Sequence, residues 1–395
     1  MKEKVLVIAY YSSYKNVTHA GGKINYYYTN KLIENDYDVT FIGRISEDEI
    51  KKYEVGKLNC RQYVFTLTRG INSIRQFVYK VGNKINKYNL FDKYCGKNNF
   101  ETRYFINTTL KKLSNEQYTP DIVVLDWVES GFFLSKVKKF FPKAKVIIVE
   151  QDVYYLNLQR KIDNAKRLKK TLCKKQYRNF KKFELNILRK VDQIEVLNGK
   201  DKRLLVDDGI DVNKIKIVAP YFDLFEVASR NKIDKNILFY GAMNREENEQ
   251  AVLWFIDTVM PLLDKTFRFI IVGNKPSEKL LGKVSERVIV TGFVEDVLPY
   301  FETALCLVVP LFVGAGIKIK VLEGMSAGVP VLTNDVGIEG IDAVDGKEYF
   351  YCKDAADYAE KIKLLDNNRE LCNEIGKNGQ KFIIENFNYK TTSYV

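Results

Sequence analysis

The strongest indication of the fold is the segment Val313-Gly-Ala-Gly-Ile-Lys-Ile-Lys-Val-Leu-Glu-Gly-Met-Ser-Ala-Gly-Val-Pro-Val-Leu-Thr333. An apolar run from Ala304 to Leu311 leads into its glycine-bearing turn, and the residue pattern predicts a helix over 317–327 that ends near Gly328. Pro330 then opens a second apolar run. A strand, a turn, a helix and a further strand in this order form the repeating unit of a parallel α/β sheet.

The same stretch predicts a site for an anionic ligand. Gly314 and Gly316 let the backbone approach a ligand closely, and the N-terminus of the following helix attracts negative charge. Lys320 and Glu323 are three residues apart and share one face of that helix. A cation beside an anion site and a carboxylate beyond it suit a diphosphate followed by a ribose diol, as in a nucleotide sugar. An ordinary strand-to-helix turn with a solvated Lys–Glu pair has the same spacing, so spacing alone leaves both interpretations open.

The alternation of β-rich runs and helical patterns continues along all 395 residues, which is enough chain for two domains. We expect a doubly wound parallel sheet in each half, with a linker near Ala219-Pro-Tyr-Phe222. The region 44–68 is ambiguous and is interpreted as two additional strands. A long basic amphipathic helix is expected over 159–190, and a final helical tail from about residue 369.

Four segments carry a family resemblance. The stretch quoted above resembles the donor-site motif of group 1 (family 4) glycosyltransferases, in the branch with Gly-x-x-x-Lys-x-x-Glu before Met-x-x-Gly-x-Pro-Val. The other three are similar to further parts of that family: Phe239-Tyr-Gly-Ala-Met-Asn-Arg-Glu-Glu-Asn-Glu-Gln-Ala-Val-Leu-Trp-Phe255, the pair Gly21 and Gly22, and Val149-Glu-Gln-Asp-Val-Tyr-Tyr-Leu156. The resemblance implies the GT-B fold, with two Rossmann-like domains facing across a cleft. Its domains would be an acceptor-binding domain 1–219, a nucleotide-sugar-binding domain 220–372 and a C-terminal helix 373–395 that crosses back to the first domain.

The resemblance also implies a donor site and a retaining reaction that needs no metal and no cofactor. Lys320 is expected to stabilise the leaving diphosphate and Glu323 to bind the ribose hydroxyls. The expected donor-binding residues are Gly22, Gly241, Asn244, Arg245, Gly314, Ala315, Gly316, Lys318, Lys320 and Glu323.

The acceptor side is predicted from the turn after the fourth strand of the first half. Relatives often carry a histidine there, whereas this chain has Glu150 and Asp152, of which Asp152 is the preferred catalytic base. Asp126, after the preceding strand, is a further option. His19 is the one histidine of the chain, and with Gly21 it is expected to form a loop that contacts acceptor or donor.

Some positions depart from the wider family pattern. Ala242 and Glu247 stand where many members have phosphate-binding cations, and Ala315 stands where many have a sugar-binding glutamate. These departures keep open a non-catalytic partner protein of another transferase. A nucleotide-sugar epimerase of similar fold is a third interpretation, which the single histidine disfavours.

Charge is distributed unevenly along the chain. Residues 1–220 hold 43 basic and 24 acidic residues, a net charge of +19, whereas the remainder carries −6. An anionic membrane surface and a solvated basic helix both explain the excess, and nucleic acid is the least favoured partner because no recognisable binding motif is present. With scattered cysteines and no apolar run of spanning length, we expect a cytoplasmic enzyme at the inner face of the plasma membrane. Its acceptor would be a glycan or a polyprenyl-linked glycan in cell-surface polysaccharide assembly.

Overall fold

The computed structural model describes residues 2–17, 19–67, 73–86, 100–163, 167–225, 227, 230 and 232–395. The chain divides into two compact units. The first comprises Met1–Tyr221 and the last five residues, Thr391–Val395; the second is Phe222–Lys390. The functional roles assigned to the predicted domains stay predictions.

The first unit is built on a seven-stranded parallel sheet. Its strands are β1 (Lys4–Ala9), β2 (Asp38–Ser46), β3 (Arg61–Leu67), β4 (Ile122–Asp126), β5 (Lys145–Glu150), β6 (Gln193–Val196) and β7 (Ile215–Ile217), in the order β3-β2-β1-β4-β5-β6-β7. After the lysines that begin β1 and β5, strands β1, β4 and β5 consist mainly of Val, Ile and Leu with almost no exposed surface, because helices cover both faces of a parallel sheet.

The helices of the first unit connect these strands. They are α1 (Ala20–Glu34), α2 (Ile50–Gly56), α3 (Ile74–Asn86), α4 (Phe100–Asn115), α5 (Leu134–Phe140), α6 (Tyr154–Asp163), α7 (Arg167–Leu188) and α8 (Gly199–Asp207), with 3-10 turns at Glu47–Glu49, Val128–Phe133 and Val212–Lys214. Two predictions need correction. The region 44–68 holds a helix and one new strand, β3, rather than two strands. The basic segment 159–190 forms two helices, α6 and α7, and residues 164–166 between them lie outside the described part.

The second unit contains a six-stranded parallel sheet. Its strands are β8 (Asn236–Tyr240), β9 (Arg268–Val272), β10 (Val288–Gly292), β11 (Ala304–Val309), β12 (Val331–Thr333) and β13 (Phe350–Tyr351), in the order β10-β9-β8-β11-β12-β13. Its helices are α9 (Glu246–Trp254), α10 (Glu278–Leu281), α11 (Leu298–Thr303), α12 (Ile319–Ser326), α13 (Ala355–Asn367) and α14 (Arg369–Asn386), and α9 continues through a π-helical turn, Phe255–Val259, into a 3-10 turn, Met260–Leu262.

The last long helix, α14, packs on α12 within the second unit. A Cβ added at Gly376 would lie 2.1 Å from the carbonyl oxygen of Gly328, so the two backbones touch where α12 ends. Gln380 Nε2 also donates a 3.0 Å hydrogen bond to the carbonyl oxygen of Ser326. The tail beyond α14 belongs to the first unit, where the ring of Tyr394 stacks on that of Tyr28 at 4.3 Å.

Candidate functional site

The glycine loop between β11 and α12 has a shape that only glycine adopts readily. Gly314 has a φ of +122° and Gly316 a φ of +69°. Lys318 then adopts an extended backbone conformation, so α12 begins at Ile319 and not at residue 317 as predicted. Lys320 is therefore in the first turn of the helix, next to the loop.

A buried ion pair braces this loop. Lys318 Nζ donates a 2.6 Å hydrogen bond to the carbonyl oxygen of Gly316 and lies 3.5 Å from Oε2 of Glu339. The side chains of Lys318 and Glu339 are only 11% and 3% exposed. The pair holds the loop in one conformation, because separating Lys318 from Glu339 would leave a buried charge without its partner, at a large cost in free energy.

Lys320 lies at the carboxyl ends of β8 and β11. Its Nζ donates a 2.7 Å hydrogen bond to Oδ1 of Asn248 and sits 4.3 Å from the ring centroid of Phe239. Burial lowers the pKa of Lys320 to about 7, and the positive charge of Arg245 adds to this effect. Keeping the buried lysine protonated costs free energy in the free protein. A bound anionic ligand would stabilise the charged form.

Gly241 makes room for this lysine. Its φ is +152°, and a Cβ added there would lie 2.7 Å from Nζ of Lys320 and 2.9 Å from Nδ2 of Asn248. Asn248 Nδ2 donates a 2.8 Å hydrogen bond to the carbonyl oxygen of Ala242. The β8–α9 turn and the first turn of α12 thus meet around one ammonium group.

The other predicted donor-binding residues differ in how far they are exposed to solvent. Asn244 is exposed, and Arg245, 62% exposed, forms a 2.8 Å ion pair with Glu247. Glu323 is buried in α12, and burial together with the negative charge of Glu323 raises the pKa of Tyr240. Lys318, Lys320, Gly241 and the 314–316 loop therefore converge, Glu323 lies buried near Tyr240, and Asn244 and Arg245 extend towards solvent.

In the first unit, the loop before α1 is closed by the histidine. His19 is the N-cap of α1, and its Nδ1 accepts a 2.9 Å hydrogen bond from the backbone N–H of Gly22. A Cβ at Gly21 would lie 2.5 Å from the ring of Trp127. Trp127 itself has a φ of +67°, a backbone conformation that costs a bulky residue energy and is often found at functional sites.

The predicted catalytic carboxylates follow β5. Glu150 is fully buried, and neither of its carboxylate oxygens has a hydrogen-bond partner among the described residues. Burial and the negative charge of Glu184 raise the pKa of Glu150 well above its usual value. Asp152 is partly exposed and stands just before α6, whose first amide groups, at Tyr154 and Tyr155, donate to Glu184. Asp152 is thus accessible to a substrate, whereas Glu150 is not.

Asp126 belongs to the same edge of the sheet. It ends β4, and its Oδ1 accepts a 3.1 Å hydrogen bond from Gln151 Nε2, which also lies 3.4 Å from the carbonyl oxygen of Gly21. Burial raises the pKa of Asp126 to about 7, although the hydrogen bond from Gln151 lowers it. The loops after β1, β4 and β5 are therefore connected by one side chain, Gln151.

Sequence reasoning missed Asn248, Phe239, Glu339 and Gln151. Asn248 and Phe239 lie inside a quoted motif, but no local pattern relates them to a lysine more than 70 residues later. Among the described residues, no group of three or more His, Cys, Asp or Glu side chains could hold a metal ion. Nor does any helix in the described ranges combine the length and apolar character needed to cross a membrane.

Comparison with known proteins supports the motif-based interpretation. Residues 234–368 match a family model described as "Glycosyl transferases group 1". An uncharacterised 44.6 kDa protein in the cps region of Klebsiella pneumoniae is 26% identical over 167 residues, which cover 39% of this chain and 43% of that protein. This chain thus spans less than half of that relative's length.

Two solved structures share the fold. Sucrose-phosphate synthase from Thermosynechococcus elongatus matches with a TM-score of 0.70 at 14% identity, covering 98% of this chain and 96% of that one. Anabaena HepE in complex with UDP-glucose matches with a TM-score of 0.67 at 11% identity, with the same coverage. The predicted fold class, two Rossmann-like α/β domains of the GT-B type, is confirmed.

Proposed function

We propose, because residues 234–368 belong to the group 1 glycosyltransferases, that the chain is a retaining glycosyltransferase. It transfers a sugar from a nucleoside-diphosphate sugar to a glycan or lipid-linked glycan acceptor. The observation that carries the proposal is the enclosed ammonium of Lys320, held by Asn248 beside a glycine loop at the start of α12. The UDP-glucose bound to HepE supports a nucleotide-sugar donor.

The donor reaction breaks the bond between the anomeric carbon and the diphosphate oxygen. Negative charge then develops on the leaving diphosphate, and Lys320 with the amide groups at the start of α12 stabilises it. This cation supplies the charge compensation that a metal ion supplies in other transferases, so the proposed reaction is metal-independent. Glu323 is assigned to the ribose hydroxyls by its place in the family motif.

The acceptor reaction forms a bond between an acceptor hydroxyl oxygen and the same anomeric carbon. The hydroxyl proton passes to a carboxylate, and the partly exposed Asp152 is assigned this role in preference to the buried Glu150. The location proposed for this reaction is the inner face of the plasma membrane, since the first 220 residues carry a net charge of +19.

A donor panel tests the proposal. Thermal unfolding of the chain is measured with a set of nucleoside-diphosphate sugars, and transfer of the radiolabelled sugar from the best donor to extracted lipid acceptors follows. Lys320→Met should reduce transfer by about 10²–10³-fold, whereas the matched control Lys279→Met, on the exposed side of α10, should transfer at the wild-type rate. Wild-type transfer by Lys320→Met would refute the assigned role.

A non-catalytic partner protein is the second candidate. The ion pair between Arg245 and Glu247 favours this candidate, because Arg245 is already paired with a carboxylate and a diphosphate would have to compete for it. A chain that binds none of the donors, and that increases transfer by a separate enzyme when the two are mixed, would establish this alternative.

A further inference from the structure

Helix α3 (Ile74–Asn86) presents an apolar stripe to solvent. The stripe begins at Ile74 and continues three, four and seven residues later with Phe77, Val78 and Val81, so the four side chains share one helical face. Their exposed fractions are 85%, 53%, 58% and 41%. Four large apolar side chains exposed along one face are unusual on a monomeric protein and mark an interaction surface.

The opposite face of α3 fixes the orientation of this stripe. Asn83 Oδ1 accepts a 3.0 Å hydrogen bond from the backbone N–H of Phe100, at the start of α4. A Cβ added at Gly82 would lie 3.0 Å from the ring of Phe100, and the rings of Tyr79 and Tyr104 are 6.4 Å apart. Because the Tyr79–Gly82–Asn83 face packs on α4, the apolar stripe points away from the first unit.

The charge of α3 shows what kind of partner the stripe fits. The helix sequence contains Arg75, Lys80 and Lys84 and no acidic residue. It belongs to the half of the chain with the net charge of +19. A second copy of this chain would bring the same positive charge against the stripe, whereas an anionic bilayer offers both apolar chains and negative headgroups.

We propose that α3 lies in the headgroup region of an anionic bilayer, with Ile74, Phe77, Val78 and Val81 inserted towards the acyl chains. A helix of 13 residues with four inserted side chains gives reversible attachment, which lets the protein leave the surface. The inference rests on the proposed function in one respect, that a lipid-linked acceptor requires the enzyme at a bilayer. The vesicle test below involves no sugar transfer, so the two can fail separately.

Co-sedimentation of the full chain with vesicles tests the proposal. Vesicles that contain phosphatidylglycerol should pellet the protein, vesicles of phosphatidylcholine alone should pellet far less, and added salt should weaken binding. Phe77→Asp with Val78→Asp should weaken binding to the anionic vesicles at least about tenfold, because a charge at these positions opposes insertion. Ile384→Asp, at a 68% exposed position of α14 in the second unit, is the matched control and should bind like the wild type.

Other occupants of the stripe give other results. Failure of the wild type to bind anionic vesicles overturns the proposal, as does equal loss in Ile384→Asp. A wild-type dimer that Phe77→Asp converts to a monomer, measured by light scattering, assigns the stripe to a second copy instead. A large fall in the unfolding temperature of Phe77→Asp shows that the chain itself covers the stripe, and this also overturns the proposal.

Discussion

The ammonium of Lys320 donates a 2.7 Å hydrogen bond to the side-chain oxygen of Asn248, and this bond joins the start of α12 to α9. A flexible lysine would otherwise sample many rotamers, and ordering it during the reaction would cost conformational entropy. The bond orders the cation in advance, which is the condition for efficient stabilisation of a developing charge.

Asn248→Ala should therefore weaken donor binding. A hydrogen bond to a charged group contributes about 1.5–3 kcal/mol, so we expect affinity for the nucleotide sugar to fall by about 10–100-fold. Isothermal titration calorimetry measures this, with Gln250→Ala as the control from the exposed side of the same helix. Equal affinity in both variants would show that Asn248 does not order Lys320.

Donor binding should depend on pH through Lys320. With a pKa of about 7 in the free protein, against an ordinary value of 10.5, the lysine is largely neutral above pH 7. A diphosphate favours the charged form, so binding takes up a proton, and affinity should rise as pH falls from 8.5 to 6. The slope above pH 7 should approach about tenfold per pH unit. Lys320→Met should remove the slope, and an unchanged slope in that variant would assign it to another group.

The lowered pKa of Lys320 makes folding stability rise with pH, whereas it makes donor affinity fall with pH. Between pH 7 and 10.5 the unfolded chain holds the Lys320 proton and the folded chain releases it, so this residue favours folding increasingly as pH rises through that window. Comparison of the unfolding temperatures of wild type and Lys320→Met at pH 6 and pH 9 checks the direction. The variant should gain stability relative to wild type at pH 6 more than at pH 9.

Gly241→Ala should disturb the site more than it disturbs the fold. The new methyl group would collide with Lys320 Nζ and Asn248 Nδ2, in addition to a backbone strain of about 1–2 kcal/mol at positive φ. Gly346→Ala is the control, because its φ is +73° and nothing lies within 4 Å of the added Cβ. We expect both variants to unfold at slightly lower temperature and only Gly241→Ala to lose donor affinity in calorimetry. Equal donor affinity would contradict this geometry.

Glu339→Gln should destabilise the second unit by leaving Lys318 as a buried cation without its carboxylate. Breaking a buried ion pair costs about 3–5 kcal/mol, whereas a surface pair contributes about 0–1 kcal/mol. Glu385→Gln, which removes an exposed pair with Lys381, is the matched control. Differential scanning calorimetry should show a large downward shift for Glu339→Gln and almost none for Glu385→Gln. The double variant Lys318→Met with Glu339→Met should recover most of the loss, and a double variant as unstable as Glu339→Gln would contradict this account.

The variant Glu150→Gln tests whether the buried carboxylate of Glu150 affects only stability or also sugar transfer. Because the pKa of Glu150 is raised in the folded state, its ionisation opposes folding as pH rises from its unfolded value through its folded one. The neutral variant should therefore unfold at a higher temperature than wild type at pH 8, with a smaller gain at pH 5. Loss of sugar transfer together with this gain would reveal a functional role. Glu195→Gln, at another buried carboxylate on β6, is the control and should retain transfer.

Much of the fold follows from local pattern. The apolar runs near residues 4–10 and 121–126 are predicted as strands because a strand covered on both faces needs continuous apolar residues, and the structure has strands there at Lys4–Ala9 and Ile122–Asp126. The glycine loop is also predicted, since the positive φ of Gly314 and Gly316 requires the residue type that the sequence has there.

Helix α12 starts two residues later than the sequence pattern predicts, for a tertiary reason. Ile317 and Lys318 do not oppose helix formation locally, yet Lys318 is drawn to Glu339, 21 residues later, and its backbone stays extended. The prediction of two strands over 44–68 is wrong in part because α2, with only Tyr53 buried, has too narrow an apolar face to give a clear helical period.

Local sequence pattern is sufficient to predict the alternation of strands and helices, the glycine loop and the residue types of the donor motif, because these depend on neighbours within a few positions. Tertiary packing is needed to bring Lys320 to Asn248 and Phe239, to bury Glu150 while Asp152 stays accessible, and to leave one face of α3 exposed. These properties depend on residues far apart in the chain, and burial, which sets the pKa of each group and the exposure of each face, exists only after the sheets and helices have packed.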